Sequence, residues 1–413
     1  MKTGATKDKA TKALVPKLRF PEFRGAEGWN ERPLAELMSE SRLPGSKGNV
    51  AKKITVKLWG NGVFEKNDSI QGSINTQYFR RKAGQFIYSK LDFLNQAFGI
   101  IPPSLDNFES TVDLPCFDFA DELNPVFLLE YVKRRDFYER LGETADGSRK
   151  ARRIHAETFL SFPIALPIRA EQQKIANCLS SLDELIAAQG RKVEALKTHK
   201  KGLMQQLFPR EEESQPRLRF PEFQDAGNWK KMTLGTAANF YNGRAYKQEE
   251  LLDAGKYKVL RVGNFFTNNN WYYSNLELDE TKYCEDGDLL YAWSASFGPR
   301  VWSGEKTIYH YHIWKVVEQS GIDKKFLFIV LEHETERMKA KTTNGLGIMH
   351  ITKGAIESWE SLFPDLAEQR KIADRLMNLE GAAKAEAQKL KLLTVHKEAL
   401  MQQLFPSIDE IKL

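Results

Sequence analysis

Catalytic machinery is what this 413-residue sequence most plainly lacks. It holds no Gly-x-x-x-x-Gly-Lys-Ser/Thr loop, which excludes a P-loop nucleotide site. It holds no Asn/Asp-Pro-Pro-aromatic motif of the kind amino-methyltransferases use, and Ile101-Pro-Pro-Ser104 is not one. Its three cysteines, Cys116, Cys178 and Cys284, are too far apart to suggest a disulfide framework or a zinc site. Uncharged apolar runs of membrane-spanning length are absent, so no transmembrane segment is expected. The first 19 residues are Lys-rich with no apolar stretch, unlike a secretion signal. A cytoplasmic protein is the expectation.

An excess of charge is also largely missing. The formal net charge is +6, but residues 1–19 hold six Lys/Arg against one Asp, which leaves the rest of the chain at +1. A disordered basic tail, expected over residues 1–15, together with Lys17 and Arg19 therefore accounts for most of the excess. Any nucleic-acid reading has to rest on local clusters.

What the chain does have is repetition. Pro16-Lys-Leu-Arg-Phe-Pro-Glu-Phe23, with Trp29, returns as Pro216-Arg-Leu-Arg-Phe-Pro-Glu-Phe223, with Trp229; nine of 14 positions are identical. Residues 170–209, from Ala-Glu-Gln-Gln-Lys-Ile-Ala to Gln-Gln-Leu-Phe-Pro, return at 367–406 with 20 of 40 positions identical. Repeats at a fixed offset mark a duplicated architecture. Between them lie two stretches of about 135 residues, 30–165 and 230–363, with almost no shared sequence. Two similar frames thus carry two different contents.

The repeated segments are proline-free until their Phe-Pro ends, and their apolar residues follow a 4-3 alternation. Ile175, Leu179, Leu182, Ile186, Val193, Leu196, Leu203 and Leu207 occupy the slots, with Gln189 and Lys200 as polar interruptions. The second copy has Glu386 and Lys397 in the same two places. Such heptads predict a coiled-coil seam, and polar seam residues fix register at some cost in stability. Each helix either packs on its neighbouring block or pairs with the other copy as an antiparallel strut. The single apolar stripe and the matched polar slots favour the strut, which would hold the blocks roughly 40–50 Å apart at about 1.5 Å per residue.

The blocks read as mixed α/β. Strands are expected at 53–59, 85–88 and 116–119 in the first and at 258–262, 288–293 and 309–316 in the second, with helices at 127–138 and 324–338. The expected division is a tail at 1–15, domains at 16–165 and 210–363, and helical segments at 166–209 and 364–413.

Candidate contact residues follow from chemistry that suits phosphates and base edges. The first block has Arg80, Arg81 and Lys82 together, and Ser148, Arg149, Lys150, Arg152 and Arg153 in a Gly-containing loop over 147–155. The second block has Thr343, Asn344 and His350 in the loop 342–350, and Arg244, Tyr246 and Lys247 in a Gly-led turn, with Arg261 and Asn264. Each cluster alone also suits a solvated surface. Glu280-Thr-Lys282 has the acidic-x-Lys form of some nucleases, a tripeptide common by chance. His310 and His312 would alternate along a strand without a carboxylate or Cys partner, which suits packing or a surface role better than metal ligation.

The Leu-Arg-Phe-Pro-Glu-Phe…Trp entries, the Ala-Glu-Gln-x-Lys-Ile-Ala helix starts and the Leu-Met-Gln-Gln-Leu-Phe-Pro ends resemble the specificity subunit of type I restriction-modification systems. The block segments Gly84–Lys90 and Gly287–Ser294 look like target-recognition domains of that family. The resemblance covers nearly the whole chain beyond the tail. It implies an α+β fold: two mixed α/β target-recognition domains separated by an antiparallel two-helix coiled coil, with an internal pseudo-two-fold repeat.

It also implies double-stranded DNA as ligand, each domain reading half of a bipartite, asymmetric site, with the helix pair as a ruler for the spacer. Two modification (methyltransferase) subunits would dock on the strut and bring S-adenosylmethionine. Restriction subunits would bring ATP and Mg. The chain itself would hold no cofactor, no metal and no active site. A non-catalytic scaffold whose coiled coil joins two protein-binding domains shares the same layout and stays open at this point.

Overall fold

The computed structural model describes residues 14–67, 72–142, 153–266, 268–294, 297–342 and 350–407. Two compact units emerge: residues 1–190 with 388–413, and residues 191–387. Their boundaries fall inside the long helices, not at the helix ends near 166, 210 and 364. The reason is that Ile175 and Leu179 belong to the same core as Leu404 and Phe405, whereas Leu207 and Phe208 belong with Ile372 and Leu376.

The repeated motifs build a joint that occurs once in each unit. The first long helix runs Arg169–Leu207 and the second Leu366–Leu404. In the first unit Arg19 donates to both carboxylate oxygens of Glu171, at 2.8 and 2.7 Å, and to the carbonyls of Ala26 and Glu27. In the second unit Arg219 does the same with Glu368, at 2.8 and 2.6 Å, and with Ala226 and Gly227.

The next motif residue ties the helix start to its block. Gln172 accepts from the Asn124 backbone N–H and donates to the carbonyls of Glu122 and Pro167. Gln369 accepts from the Asp323 N–H and donates to Gly321 and Pro364. Lys174 pairs with Glu22 and Lys371 with Glu222. The entry Leu-Arg-Phe-Pro-Glu-Phe and the helix start Ala-Glu-Gln-x-Lys are thus two halves of one hydrogen-bonded joint.

The Phe-Pro ends complete the joint. Trp29 packs on Phe127 and Phe405, and Leu18 N–H donates to the Gln403 carbonyl. Trp229 packs on Phe326 and Phe208, and Leu218 N–H donates to the Gln206 carbonyl. Pro209 and Pro406 follow the last turns, where no further helical N–H is available.

Within each unit the helix segments run antiparallel. In the second, Lys192 pairs with Glu386 and Lys200 with Glu380, so an advance along one helix is a retreat along the other. In the first, Lys397 pairs with Asp183, while Leu400 and Met401 lie against the core that holds Ile175 and Leu179. The polar slots carry matched ion clusters. Lys397 reaches Asp183 at 2.7 Å and the buried Glu130 at 2.8 Å. Lys200 reaches Glu380 at 3.0 Å and Glu332 at 3.2 Å. Burial opposes the charge on Glu130, yet Lys133 and Lys397 hold its carboxyl below the usual range.

Each block is a mixed α/β body. In the first, a four-stranded sheet orders Met38–Ser41, Cys116–Phe119, Phe86–Tyr88 and Phe98–Ile100, beside a three-stranded sheet and a hairpin. In the second, Ala238–Asn242, Ile313–Glu318, Leu289–Ala292 and Gly298–Val301 form one sheet. Tyr272–Ser274, Tyr257–Leu260, Thr307–Tyr309 and Tyr283–Cys284 form another.

Two local expectations are corrected. The helix at 127–138 is two helices, Pro125–Val132 and Arg135–Gly142. The strand at 309–316 is broken: Thr307–Tyr309 ends in one sheet and Ile313–Glu318 begins in the other, with 310–312 turning between them. No helix among the described residues is long and apolar enough to cross a membrane.

Candidate nucleic-acid interface

The break at 310–312 assembles the most distinctive surface of the second unit. Gly243 is required beside it, because a Cβ there would lie 2.3 Å from the His310 carbonyl oxygen. Arg244 N–H donates to the Tyr309 carbonyl, and Tyr311 N–H donates back to the Arg244 carbonyl. The turn 243–247 is thereby stitched to the histidines. His310 and His312 ring centroids lie 4.8 Å apart, and Trp293 is 4.8 Å from His312 and 5.9 Å from His350. Trp293 Nε1 donates to the Tyr311 carbonyl, leaving the Tyr311 side chain outward at 39% exposure.

Charge on this surface is largely internal. Arg244 is bidentate to Glu250 at 2.9 and 2.7 Å, which with the Lys247 N–H draws the Glu250 carboxyl down to about 2. Burial, then His312 and Arg261, push His310 down to about 4, so it is neutral at pH 7. Burial and His350 lower His312 as well. Arg261 stacks on Tyr272 at 4.3 Å, and its Nε has no partner among the described residues. A neutral imidazole offers one donor and one acceptor. Imidazoles beside Trp and Tyr edges therefore suit hydrogen-bonding and apolar contact with base edges better than phosphate neutralisation.

The predicted residues divide clearly. Arg244, Tyr246, Arg261 and His350 come together with His310, Tyr311, His312 and Trp293. Lys247 is exposed at the rim, 4.0 Å from Glu249. Asn264 is turned inward: its amide donates to the Asn268 and Asn270 carbonyls and shapes a loop. Thr343 and Asn344 lie outside the described residues. Tyr311 carried no signal of its own in the sequence, and the two histidines, expected to serve packing or a surface role, lie in the turn between two strands. The available signal was Gly243, which marks a close backbone approach.

In the first unit, Arg80 ends the strand Gln77–Arg80 and is exposed, as is Lys82 in the turn after it. Arg81 must be corrected as a DNA contact. It is 2% exposed, and its guanidinium donates to Ser110 Oγ and to the carbonyls of Ser41, Thr111 and Leu114. The alternation of a strand entering a turn sends the middle residue of the Arg-Arg-Lys cluster inward. Arg153 is exposed and pairs with Asp113 at 3.2 Å. Ser148, Arg149, Lys150 and Arg152 lie outside the described residues.

The acidic-x-Lys tripeptide gains no catalytic geometry: Glu280 pairs with Lys306, while Lys282 donates to the Asn242 carbonyl. Among the described residues no group of three or more His, Cys, Asp or Glu is arranged to hold a metal.

Comparisons with known proteins agree on one family. Residues 226–395 match the family model for the type I restriction modification DNA specificity domain. The chain is 24% identical over 278 residues to the MjaVIII specificity subunit of Methanocaldococcus jannaschii, covering 63% of this chain and 65% of that protein. It is 22% identical over 154 residues to the EcoBI specificity subunit of Escherichia coli, covering 37% and 32%. The matched stretches thus span less than two thirds of these two relatives. Among solved structures, a type I restriction-modification S subunit from M. genitalium superposes with a TM-score of 0.57 at 17% identity, over 95% of this chain and 99% of that one. A chain from a structure of type I R-M complex assembly and conformational transition gives 0.57 at 16% identity, over 92% and 98%. The fold is common to both.

Proposed function

We propose that this chain is a specificity subunit of a type I restriction-modification enzyme, a reading supported by its similarity to that family, and that its two units read the two halves of a bipartite, asymmetric DNA site. The observation that carries this reading is the contrast between frame and content. The Arg–Glu, Gln–loop and Phe–Trp contacts occur twice, residue for residue. The surfaces they support differ chemically: exposed Arg80 and Lys82 in one unit, neutral imidazoles with Trp293 and Tyr311 in the other. A repeated mount with different readers suits one recognition task performed on two sequences.

The paired helices set the spacer between half-sites and dock two modification subunits, which supply S-adenosylmethionine and the methyl transfer. Restriction subunits, with ATP and Mg, join the same assembly. The chain contributes recognition and no chemistry. Sequencing the methylated bases in DNA exposed to the assembled complex tests this. Exchanging His350 and Tyr311 for Ala should relax or abolish one half of the recognised sequence. Exchanging Arg80, Lys82, Arg149 and Arg152 should affect the other half alone. Four residues inserted near Gly190 should lengthen or abolish the spacer. An unchanged methylation pattern in all three variants refutes the proposal.

A further inference from the structure

A groove of about 620 Å³ lies in the second unit, apart from the histidine surface. It is lined by the first long helix, the second long helix, the helix Lys324–Thr342 and the edge strand Gly298–Val301. Six cations line it against three carboxylates, Glu332, Glu336 and Glu380. Two of those carboxylates are engaged by Lys200 in the seam. The third, Glu336, pairs with Lys339.

The remaining cations are therefore in excess. Lys201 is exposed and Arg300 is exposed, and neither forms an ion pair among the described residues. Lys384, 75% exposed, lies 3.4 Å from the shared Glu380, and Lys197 pairs, among the described residues, with the exposed Glu194. Lys197 and Lys201 stand one turn apart on the same helix face. Between the cations the lining is apolar: Phe297 is buried under the Lys339 ammonium at 5.2 Å, and Arg300 sits over Phe266 at 4.9 Å.

We propose that this groove holds the sugar-phosphate backbone of duplex DNA next to the half-site read by the second unit. The inference rests on the DNA-reading function above and adds a sequence-independent contact to it. Spread, solvated point charges around an apolar lining suit a polyanion that passes along the groove. A single small anion instead calls for converging, desolvated donors. The contact also answers a problem of charge. The block 230–363 balances 17 Lys/Arg with 17 Asp/Glu, yet phosphate neutralisation supplies much of the affinity for DNA. Of the lining cations only Arg300 and Lys339 belong to that block; Lys197, Lys200, Lys201 and Lys384 come from the two long helices, which thereby lend a neutral block a phosphate-binding face.

The test is a salt titration of DNA binding by the full chain, alone and with its modification subunits. The parent is compared with the triple variant Lys201→Gln, Arg300→Gln, Lys384→Gln. Duplexes with and without the methylated site are both used. Each lost phosphate contact lowers the slope of log K against log salt by about 0.9, so the slope should fall by roughly two to three. Affinity should drop equally for both duplexes, with the methylated sequence unchanged. An unchanged slope overturns the proposal, as does a variant that keeps DNA affinity but loses binding to an acidic protein segment. Failure of the half-site reading looks different: the parent would then show no sequence preference, while the slope on any duplex would still report on the groove.

Discussion

Replacing Arg19 with methionine should unfasten the first unit from its helix. The guanidinium makes four hydrogen bonds of 2.7–2.9 Å, two to Glu171 and two to the carbonyls of Ala26 and Glu27. The side chains are 7% and 1% exposed, so methionine leaves a carboxylate buried without its charge partner. Removing one member of a buried pair costs about 3–5 kcal/mol, whereas replacing both by apolar residues is often close to neutral. Amide exchange along residues 171–179 measures local opening. In Arg19→Met those amides should exchange roughly 150- to 5,000-fold faster, while amides at 368–376 in the second unit stay unchanged. Arg219→Met should give the mirror result through Glu368. The double variant Arg19→Met, Glu171→Leu should restore most of the protection. Exchange accelerated less than tenfold in Arg19→Met, or a double variant no better than the single, would refute the view that this pair is a buried lock.

Arg81→Met should destabilise the first unit by about 2–4 kcal/mol through its lost carbonyl and hydroxyl partners. It should leave the recognised sequence unaltered; urea unfolding and methylation mapping check the two halves of that statement. The acid limb of stability should depend on Glu334. This carboxyl is 2% exposed. Burial opposes its ionisation, but His333, Trp359, Ser361 and Arg337 together hold it below the usual carboxylate range. Its contribution is therefore present above the unfolded value of about 4.3 and is lost as pH falls through the lower folded value. Glu334→Gln should flatten the fall in melting temperature below pH 4.5, and an unaltered acid limb would refute the assignment.

The long helices were legible because their evidence is local and periodic: heptad spacing, an absence of proline, and Phe-Pro ends. The antiparallel pairing was legible because Lys200 and Lys397 interrupt the two stripes at matching places. Neither clue required knowledge of the partners. The joint residues were visible as repeats, but their roles were not, since Arg19 and Glu171 are 152 positions apart and nothing in either neighbourhood says which charge meets which. Arg81 was misread for a related reason. A cluster of three cations looks uniform in sequence, and only the strand's alternation sends one of them into the core.

The sequence by itself determined the architecture: two different blocks on one duplicated frame, built from near-neighbour spacing and repetition that survive without coordinates. Only the tertiary structure decided the functional surfaces. The 310–312 turn brings residues from positions 244, 261, 293 and 350 to one place, and cations of the two long helices collect with Arg300 in one groove beside a neutral block. Both depend on which strands pair and which side chains turn outward. Those choices are made by the packing of the whole unit, not by the residues that benefit from them.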